Sequence, residues 1–386
     1  MKDKFTLFQR NCQKRKRRSS RRSEVETTVS LFFTNLAELK IKQTMRRILL
    51  ALTFLLFFAV SHGQNQVDGL VQIGIGYHDN GEFHEAIEFY NRALEIDPES
   101  MYANYELALT YMSLEEYEKA IEHTDIVLKQ EGDEVLLAYT VKGSALDNLG
   151  RTEESIELFE KAIEKYGDYY LLHYNLGINY SKIEDYEKAE PAFVRAIMSN
   201  PFHASSHITL ALTKREQDQR VQSLLGLYYF LLLEPRSPRA EIAYYLLMEQ
   251  LRGSVQESKD NSNAIDIILN SSRMDVEFSA AEVMLAMLEA SSMLEENKDK
   301  TAEELFVDNT KSFFTLLGEL LKNKEDATGL WWNLYVPFFY DLSRSGHLEA
   351  FCYYISSSFR EEAMEWFLSN SEKIEELADW VEENME

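Results

Sequence analysis

Small and apolar residues return along the middle of this chain with a fixed long period, inside which the shorter spacing is helical. Ala86, Ala120, Ser155, Ala189 and Ser223 stand 34, 35, 34 and 34 residues apart. Twelve residues before each lies Gly74, Ala108, Gly143, Gly177 or Ala211, and nine before it Tyr77, Tyr111, Leu146, Tyr180 or Lys214. Seven after it lies Ala93, Val127, Ala162, Ala196 or Phe230. Self-similarity at such a period marks a stacked repeat, and apolar positions three and four apart within it mark helices. Each period closes on Pro98, Gly132, Gly167, Pro201 or Pro235, where proline cannot continue a helix and glycine takes the left-handed conformation that ends one. The predicted unit is two helices and a stop. The small residue of the first helix is expected to face the small residue of the second, so that the two backbones approach closely.

These positions resemble the tetratricopeptide repeat (TPR), whose pattern is Leu-Gly then Tyr on the first helix, Gly-x-Tyr at the turn, and Ala, aromatic, Ala and Pro on the second. Ile73, Gly74, Tyr77, Gly81, Phe83, Ala86, Tyr90, Ala93 and Pro98 match it most fully. Leu107, Ala108, Tyr111, Tyr117 and Ala120 follow it, as do Leu176, Gly177, Tyr180, Tyr186, Ala189, Phe193, Ala196 and Pro201. The third repeat departs at Lys142 and Thr152, and the fifth at Lys214 and Arg220. Pro191 falls early in its helix, and a missing amide is tolerated in the first turn. The resemblance covers residues 67–237. It implies an all-α fold: a right-handed α-solenoid of about five TPR hairpins followed by a helical C-terminal region.

In the family resembled, first helices line a concave groove that holds an extended peptide or a helix. Projected onto this chain, the groove positions are Val71, Ile75 and His78, then Tyr102, Tyr105, Leu109 and Met112. They continue through Thr140, Ser144, Asp147 and Asn148 to Tyr174, Ile178, Ser181 and Lys182. This lining is aromatic and aliphatic with few charges, which favours a protein or peptide partner with apolar anchors. Tyr102, Tyr105 and Tyr174 equally suit packing between neighbouring hairpins. The carboxylate clamp that some members of the family carry is absent, since Val71, Ile75 and Glu106 stand in its places.

Beyond Pro238 the period fades. A capping helix is expected over 238–252, a polar loop from Gly253 to Asn263, and amphipathic helices over Val276 to Glu296 and after a capping box of Thr301 and Glu304. Trp331 to Leu342, a stop at Gly346, and Leu348 to Ile355 read as a further hairpin kinked at Pro337. The aromatic run Trp331, Trp332, Tyr335, Phe338, Phe339 and Tyr340 is expected in a core, and the acidic helix from Ser371 to Asn384 as a solvated cap.

Scarce glycine and proline, 15 and 6 in 386 residues, agree with an all-helical chain. The net charge of −25 hides an asymmetry: residues 1–63 carry 14 basic against 4 acidic side chains, and the rest 26 against 61. Such an acidic surface repels phosphate backbones, so nucleic acid is not an expected partner of the folded part. Met45, Arg46 and Arg47, the 13-residue apolar run Ile48 to Val60, and Ser61 and Gly63 have the layout of a secretory signal peptide. The run is shorter than the roughly 20 residues that span a bilayer, so cleavage after Gly63 with no stable membrane span, and export to the periplasm or the exterior, are expected. The basic extension 1–44 points to Met45 as the true start; a nuclear address, a nucleic-acid arm or the tail of an uncleaved anchor are the other readings. Cys12 and Cys352 leave no intrachain disulfide once the leader is gone.

No phosphate-binding glycine loop, zinc-protease motif or paired cysteines occur; Gly74, Ile75 and Gly76 belong to the repeat. His203 and His207 are four apart without a carboxylate motif, and Cys352 with His347 sits on one apolar helix, so no metal, cofactor or catalytic residue is expected. The expected function is a non-enzymatic interaction scaffold. The other reading is an enzyme whose helical C-terminal region does the chemistry while the repeats recruit substrate.

Overall fold

The computed structural model describes residues 64–132, 134–252, 255–257, 265–267, 276–292, 297 and 299–385. The expected signal peptide and the basic extension lie outside them. Two compact units divide the chain, one ending at Glu106 and the other running from Leu107 to the C-terminus.

The first hairpin pairs α1 (64–79) with α2 (Phe83–Ile96). α3 (Met101–Ser113) carries the boundary between the units, and α4 (Tyr117–Val127) follows it. The remaining hairpins are α5 (Glu134–Asn148) with α6 (Thr152–Tyr166), α7 (Tyr170–Lys182) with α8 (Tyr186–Ser199), and α9 (Ala204–Glu216) with α10 (Arg220–Leu233). Pro191 stands in the second turn of α8 and not the first, so the Glu187 carbonyl one turn back receives no helical bond from it. Every hairpin turns in the same way. Gly81, Glu115, Gly150, Glu184 and Asp218 have φ of 79°, 59°, 75°, 60° and 58°, at the same point of each period. The amide one residue on returns to the carbonyl of Tyr77, Tyr111, Leu146, Tyr180 or Lys214 at 2.8–2.9 Å, the long bond of a Schellman ending.

The glycines of the repeat face something other than the small residue expected. A Cβ at Gly177 would lie 2.6 Å from Cε1 of Phe193, and those at Gly74 and Gly143 would strike the rings of Tyr90 and Phe159. Each ring is four residues beyond the small position, and all three are fully buried. The small residue lies against the first helix's backbone instead: the Ser155 hydroxyl donates to the Gly143 carbonyl at 2.8 Å. The glycine therefore makes room for an aromatic ring, and the alanine or serine sets the backbone approach.

After the repeats come α11 (Pro238–Leu251), a three-pair antiparallel ladder of β1 (Val255–Glu257) with β2 (Ile265–Ile267), and a 3-10 turn (Val276–Phe278) entering α12 (Ser279–Ser292). β1 falls where a loop was expected; its three residues are too short a run to read as a strand. α13 (Ala302–Lys322) opens with the expected reciprocal box, Thr301 Oγ1 accepting from the Glu304 amide at 3.1 Å and the Glu304 carboxylate accepting from the Thr301 amide at 2.8 Å. A π-type turn (Trp331–Tyr335) runs into α14 (Val336–Ser345), with the Val336 amide returning to Trp331 just before Pro337, which has no amide to give. Gly346, left-handed at φ 88°, ends α14, and α15 (Leu348–Ser356), α16 (Glu361–Ser369) and α17 (Ser371–Met385) complete the chain.

Among the described residues, this C-terminal region has no core of its own. Its aromatic residues share one apolar cluster with the helices of the last three repeats, centred on α10, where every residue from Val221 to Leu232 is buried. The Tyr228 ring packs against Phe306, Phe314, Phe339 and Phe351, and that of Tyr229 against Tyr335, Phe338 and Phe339. A helix apolar on all sides belongs in an interior. α17 also joins this core through Leu377 and through Trp380, which lies 5.5 Å from Phe338, so it is half embedded rather than wholly solvated.

Candidate protein-binding face

The first helices of the repeats present the expected positions in two separate sets, one in each unit. In the first unit, Val71 is fully buried and therefore packs inside. Ile75 and Tyr105 are half-buried, His78 meets Phe83 edge-on at 5.2 Å, and Tyr102 is 43% exposed. Glu106 lies beside them, its carboxyl pushed up to about 7 by burial and by the neighbouring Asp79 carboxylate.

In the second unit Leu109, Met112, Thr140, Ser144, Tyr174, Ile178 and Ser181 are half-buried, and Asn148 is exposed. The polar members are mostly engaged locally. Thr140 donates to the Leu137 carbonyl at 2.7 Å, and Asn148 to the Ser144 carbonyl at 2.9 Å. Asp147 and Lys182 neutralise one another across α5 and α7, Nζ lying 2.9 Å from Oδ1 and 3.0 Å from the Asp147 carbonyl oxygen. Tyr174 meets His203 edge-on at 4.8 Å. This part of the face is polar, with an apolar margin on α7, and the buried Ser181 hydroxyl on it has no hydrogen-bond partner among the described residues.

The apolar character increases beyond the expected set. Tyr174 and Ile178 advanced by one 34-residue period fall on Ile208 and Leu212, and Ile208 advanced again falls on Ile242. Ile208 is buried, but Leu212 is 36% and Ile242 61% exposed. α9 and α11 run side by side here: Arg239 donates to Ser205 at 2.8 Å, and Arg215 pairs with Glu249 at 3.7 Å. α11 thus supplies the first-helix face with its outermost strip. The 34-residue step that relates Tyr174 to Ile208 carries on to Ile242.

The opposite side of these repeats is closed by the chain itself, and the fifth repeat's two departures from the pattern lie at that closure. Lys214, only 3% exposed, pairs with Glu190, donates to Gln219 Oε1 at 2.6 Å and stands 5.8 Å from the Trp331 ring. Arg220 donates from Nε to the Gln250 carbonyl at 2.6 Å and faces Glu282 of α12 at 3.8 Å; burial pulls its guanidinium down. His207 is buried, with Nδ1 2.7 Å from the Tyr335 hydroxyl and Nε2 2.7 Å from the Pro201 carbonyl. Burial lowers its imidazole to about 3, so it is neutral and both nitrogens are occupied. Neither it nor His203, whose Nδ1 meets Ser206 Oγ at 2.8 Å, is disposed to ligate a metal.

Cys352 is buried, and burial pushes its thiol up, away from the thiolate that a nucleophile needs. The described residues hold no group of three or more His, Cys, Asp or Glu side chains placed for a metal, and no helix among them is long and apolar enough to cross a membrane.

Profiles described as TPR repeat match residues 76–115, and others described as tetratricopeptide repeat match 136–164 and 170–203. The chain carries TPR repeats at these places. It is 25% identical over 142 residues to the probable UDP-N-acetylglucosamine–peptide N-acetylglucosaminyltransferase SPINDLY of Hordeum vulgare, covering 35% of this chain and 15% of that protein. It is 33% identical over 121 residues to the tetratricopeptide repeat protein 28 of Homo sapiens, covering 28% of this chain and 5% of that protein. The chain thus spans a small part of the length of these relatives. Among solved structures it is similar to TTC0263, a thermophilic TPR protein of Thermus thermophilus, at 20% identity and a TM-score of 0.42 over 47% of this chain and 99% of that one.

Proposed function

We propose that this chain is a non-enzymatic scaffold that holds a peptide or a partner helix on the first-helix face of its repeats. One observation carries the reading. The second helix of the last repeat is sealed under the chain's own C-terminal helices, whereas the first-helix face leaves Leu212 and Ile242 in water. Solvated apolar side chains at a repeat's inward positions favour a ligand with apolar anchors, since fully burying an exposed one recovers about 1.5–3 kcal/mol and Leu212 and Ile242, 36% and 61% exposed, would recover a part of that each. The buried thiol of Cys352 and the neutral, doubly bonded His207 support a non-catalytic role for the region packed behind.

A photo-crosslinker at Leu212 or Ile242 is expected to capture a partner in the native cell, and Ile242→Glu to abolish capture from the Leu212 position while helix content stays unchanged. Equal capture from Met287, an exposed position on α12, would overturn the reading. The proposed setting is outside the cytoplasm, supported by the signal-like stretch from Met45 to Gly63. Mass spectrometry of the mature chain is expected to find Gln64 as its first residue; Met1 or Met45 there would remove the exported setting and leave the scaffold reading intact.

A further inference from the structure

A cleft of about 770 Å³ opens in the second unit between α17 and the turn that joins α8 to α9. Its floor is Leu232 and Tyr354, and one wall is Pro201 with Phe202, the latter 59% exposed. The facing wall is the stripe Ile374, Ala378, Val381 and Met385, with Leu377 buried at its foot. Steps of four, three and four residues are the spacing of a helix seam made to receive another helix.

The apolar face of α17 that reaches the core through Leu377 and Trp380 continues into this stripe. Ile374, Val381 and Met385 are partly buried against the same core, and with the exposed Ala378 their remaining surface lines the cleft. By helical spacing Glu375 and Glu382 border the stripe, and the helix as a whole is acidic. α17 carries Glu372, Glu375, Glu376, Asp379, Glu382 and Glu383 against Lys373 alone, and Lys373 pairs with Glu349 at 2.8 Å. Glu382 is the charged residue lining the cleft.

We infer that this cleft is a second docking site, distinct from the first-helix face, for a basic amphipathic helix of a partner protein. Its apolar residues insert between Phe202 and the Ile374–Met385 stripe, and its lysines or arginines meet the carboxylates of α17. Charge complementarity selects this occupant. A second copy of the chain, bringing α17 to α17, would set acidic margins against each other. An apolar peptide without cationic flanks would leave the carboxylates unanswered.

The test uses the full chain and a labelled synthetic helix of about 18 residues, long enough to fold on binding, with leucines at seam spacing and lysines flanking them. Two controls accompany it: the same composition scrambled so that no apolar stripe forms, and the same stripe flanked by glutamates. Fluorescence anisotropy is expected to show the lysine-flanked helix binding at least about tenfold more tightly than either control. Phe202→Glu, at a side chain 59% exposed, is expected to weaken binding by about tenfold or more, and Ile242→Glu to leave it unchanged. Equal binding of the scrambled peptide, indifference to Phe202→Glu, loss of binding in Ile242→Glu, or self-association of the chain that Phe202→Glu abolishes would each overturn the assignment. The first-helix reading fails separately, through the crosslinks at Leu212 and Ile242.

Discussion

The Tyr335 hydroxyl lies 2.7 Å from Nδ1 of His207, tying the π-type turn of the C-terminal region to the first helix of the last repeat. The other nitrogen meets the Pro201 carbonyl, which can only accept, so Nε2 holds the proton and Nδ1 accepts from the tyrosine. Tyr335→Phe would leave that buried acceptor without a donor. The expected loss is about 1–3 kcal/mol, read from the midpoint of urea unfolding.

The same imidazole makes the fold sensitive to acid. Burial holds His207 at about 3 when folded, against an ordinary value of 6.5 when unfolded. With the folded value depressed, its contribution is fully present above pH 6.5 and is lost as pH falls from there towards 3. His207→Asn is expected to be less stable at neutral pH and to show a shallower decline across that window. An unchanged slope in unfolding measured against pH would count against it.

Replacing Gly177 by alanine pushes a methyl group into the Phe193 ring, which is fully buried and has no free side to retreat to. The gain in helix propensity, about 1 kcal/mol, is set against an overpacking cost of about 1–3 kcal/mol. Net destabilisation is expected, with relief when Phe193→Leu is added. Additive losses in the double variant would show that the two positions do not press on each other.

The hairpin turns offer changes of the opposite sign. Glu115 and Glu184 take the left-handed conformation that glycine takes at Gly81 and Gly150. Glu184→Gly or Glu115→Gly removes a backbone strain of about 1–2 kcal/mol and costs somewhat less in unfolded-chain entropy, so each is expected to raise the melting temperature slightly. Asp218→Gly should gain less, because a short polar side chain already tolerates that conformation. Calorimetric scans of the three variants decide the order.

The hairpins were legible in the sequence because one steric demand, close backbones, recurs at every period, with an aromatic filler wherever the first helix carries glycine. The capping box at Thr301 and the stop at Gly346 were legible for a similar reason: each is solved locally by one or two residues. The docking of the C-terminal region was not. Lys214 and Arg220 read as decay of the repeat, yet they are the residues that bond across to Trp331 and Glu282. The one sequence signal for that closure was the run Val221 to Leu232, too apolar all round for a helix with a solvated side. The boundary at Glu106 had none, since it falls inside α3 without proline, glycine or a change of composition.

Lys214 tests that account. Its ammonium is buried and held by Glu190, whose side chain remains 29% exposed. Lys214→Ala removes the charge and the packing against Trp331 together, but water can still reach the abandoned carboxylate. The expected cost is about 1–3 kcal/mol, below that of a fully enclosed pair. A merely degenerate repeat position would lose almost nothing. Near-UV circular dichroism, to which the Trp331 environment contributes, is expected to change with it.

Glu106 gives the first unit a pH response of its own. Burial and the Asp79 carboxylate raise its folded value to about 7 from an ordinary 4.5. The folded state therefore keeps this proton longer than the unfolded chain, and the stability it contributes is fully present below pH 4.5 and is lost as pH rises through 7. Glu106→Gln, neutral at every pH, is expected to flatten the fall in unfolding stability between these limits, and Asp79→Asn to shift the fall to lower pH by removing the charge that opposes ionisation. If Asp79→Asn leaves the profile where it was, burial alone sets the carboxyl's value and the repulsion between these two side chains plays no part.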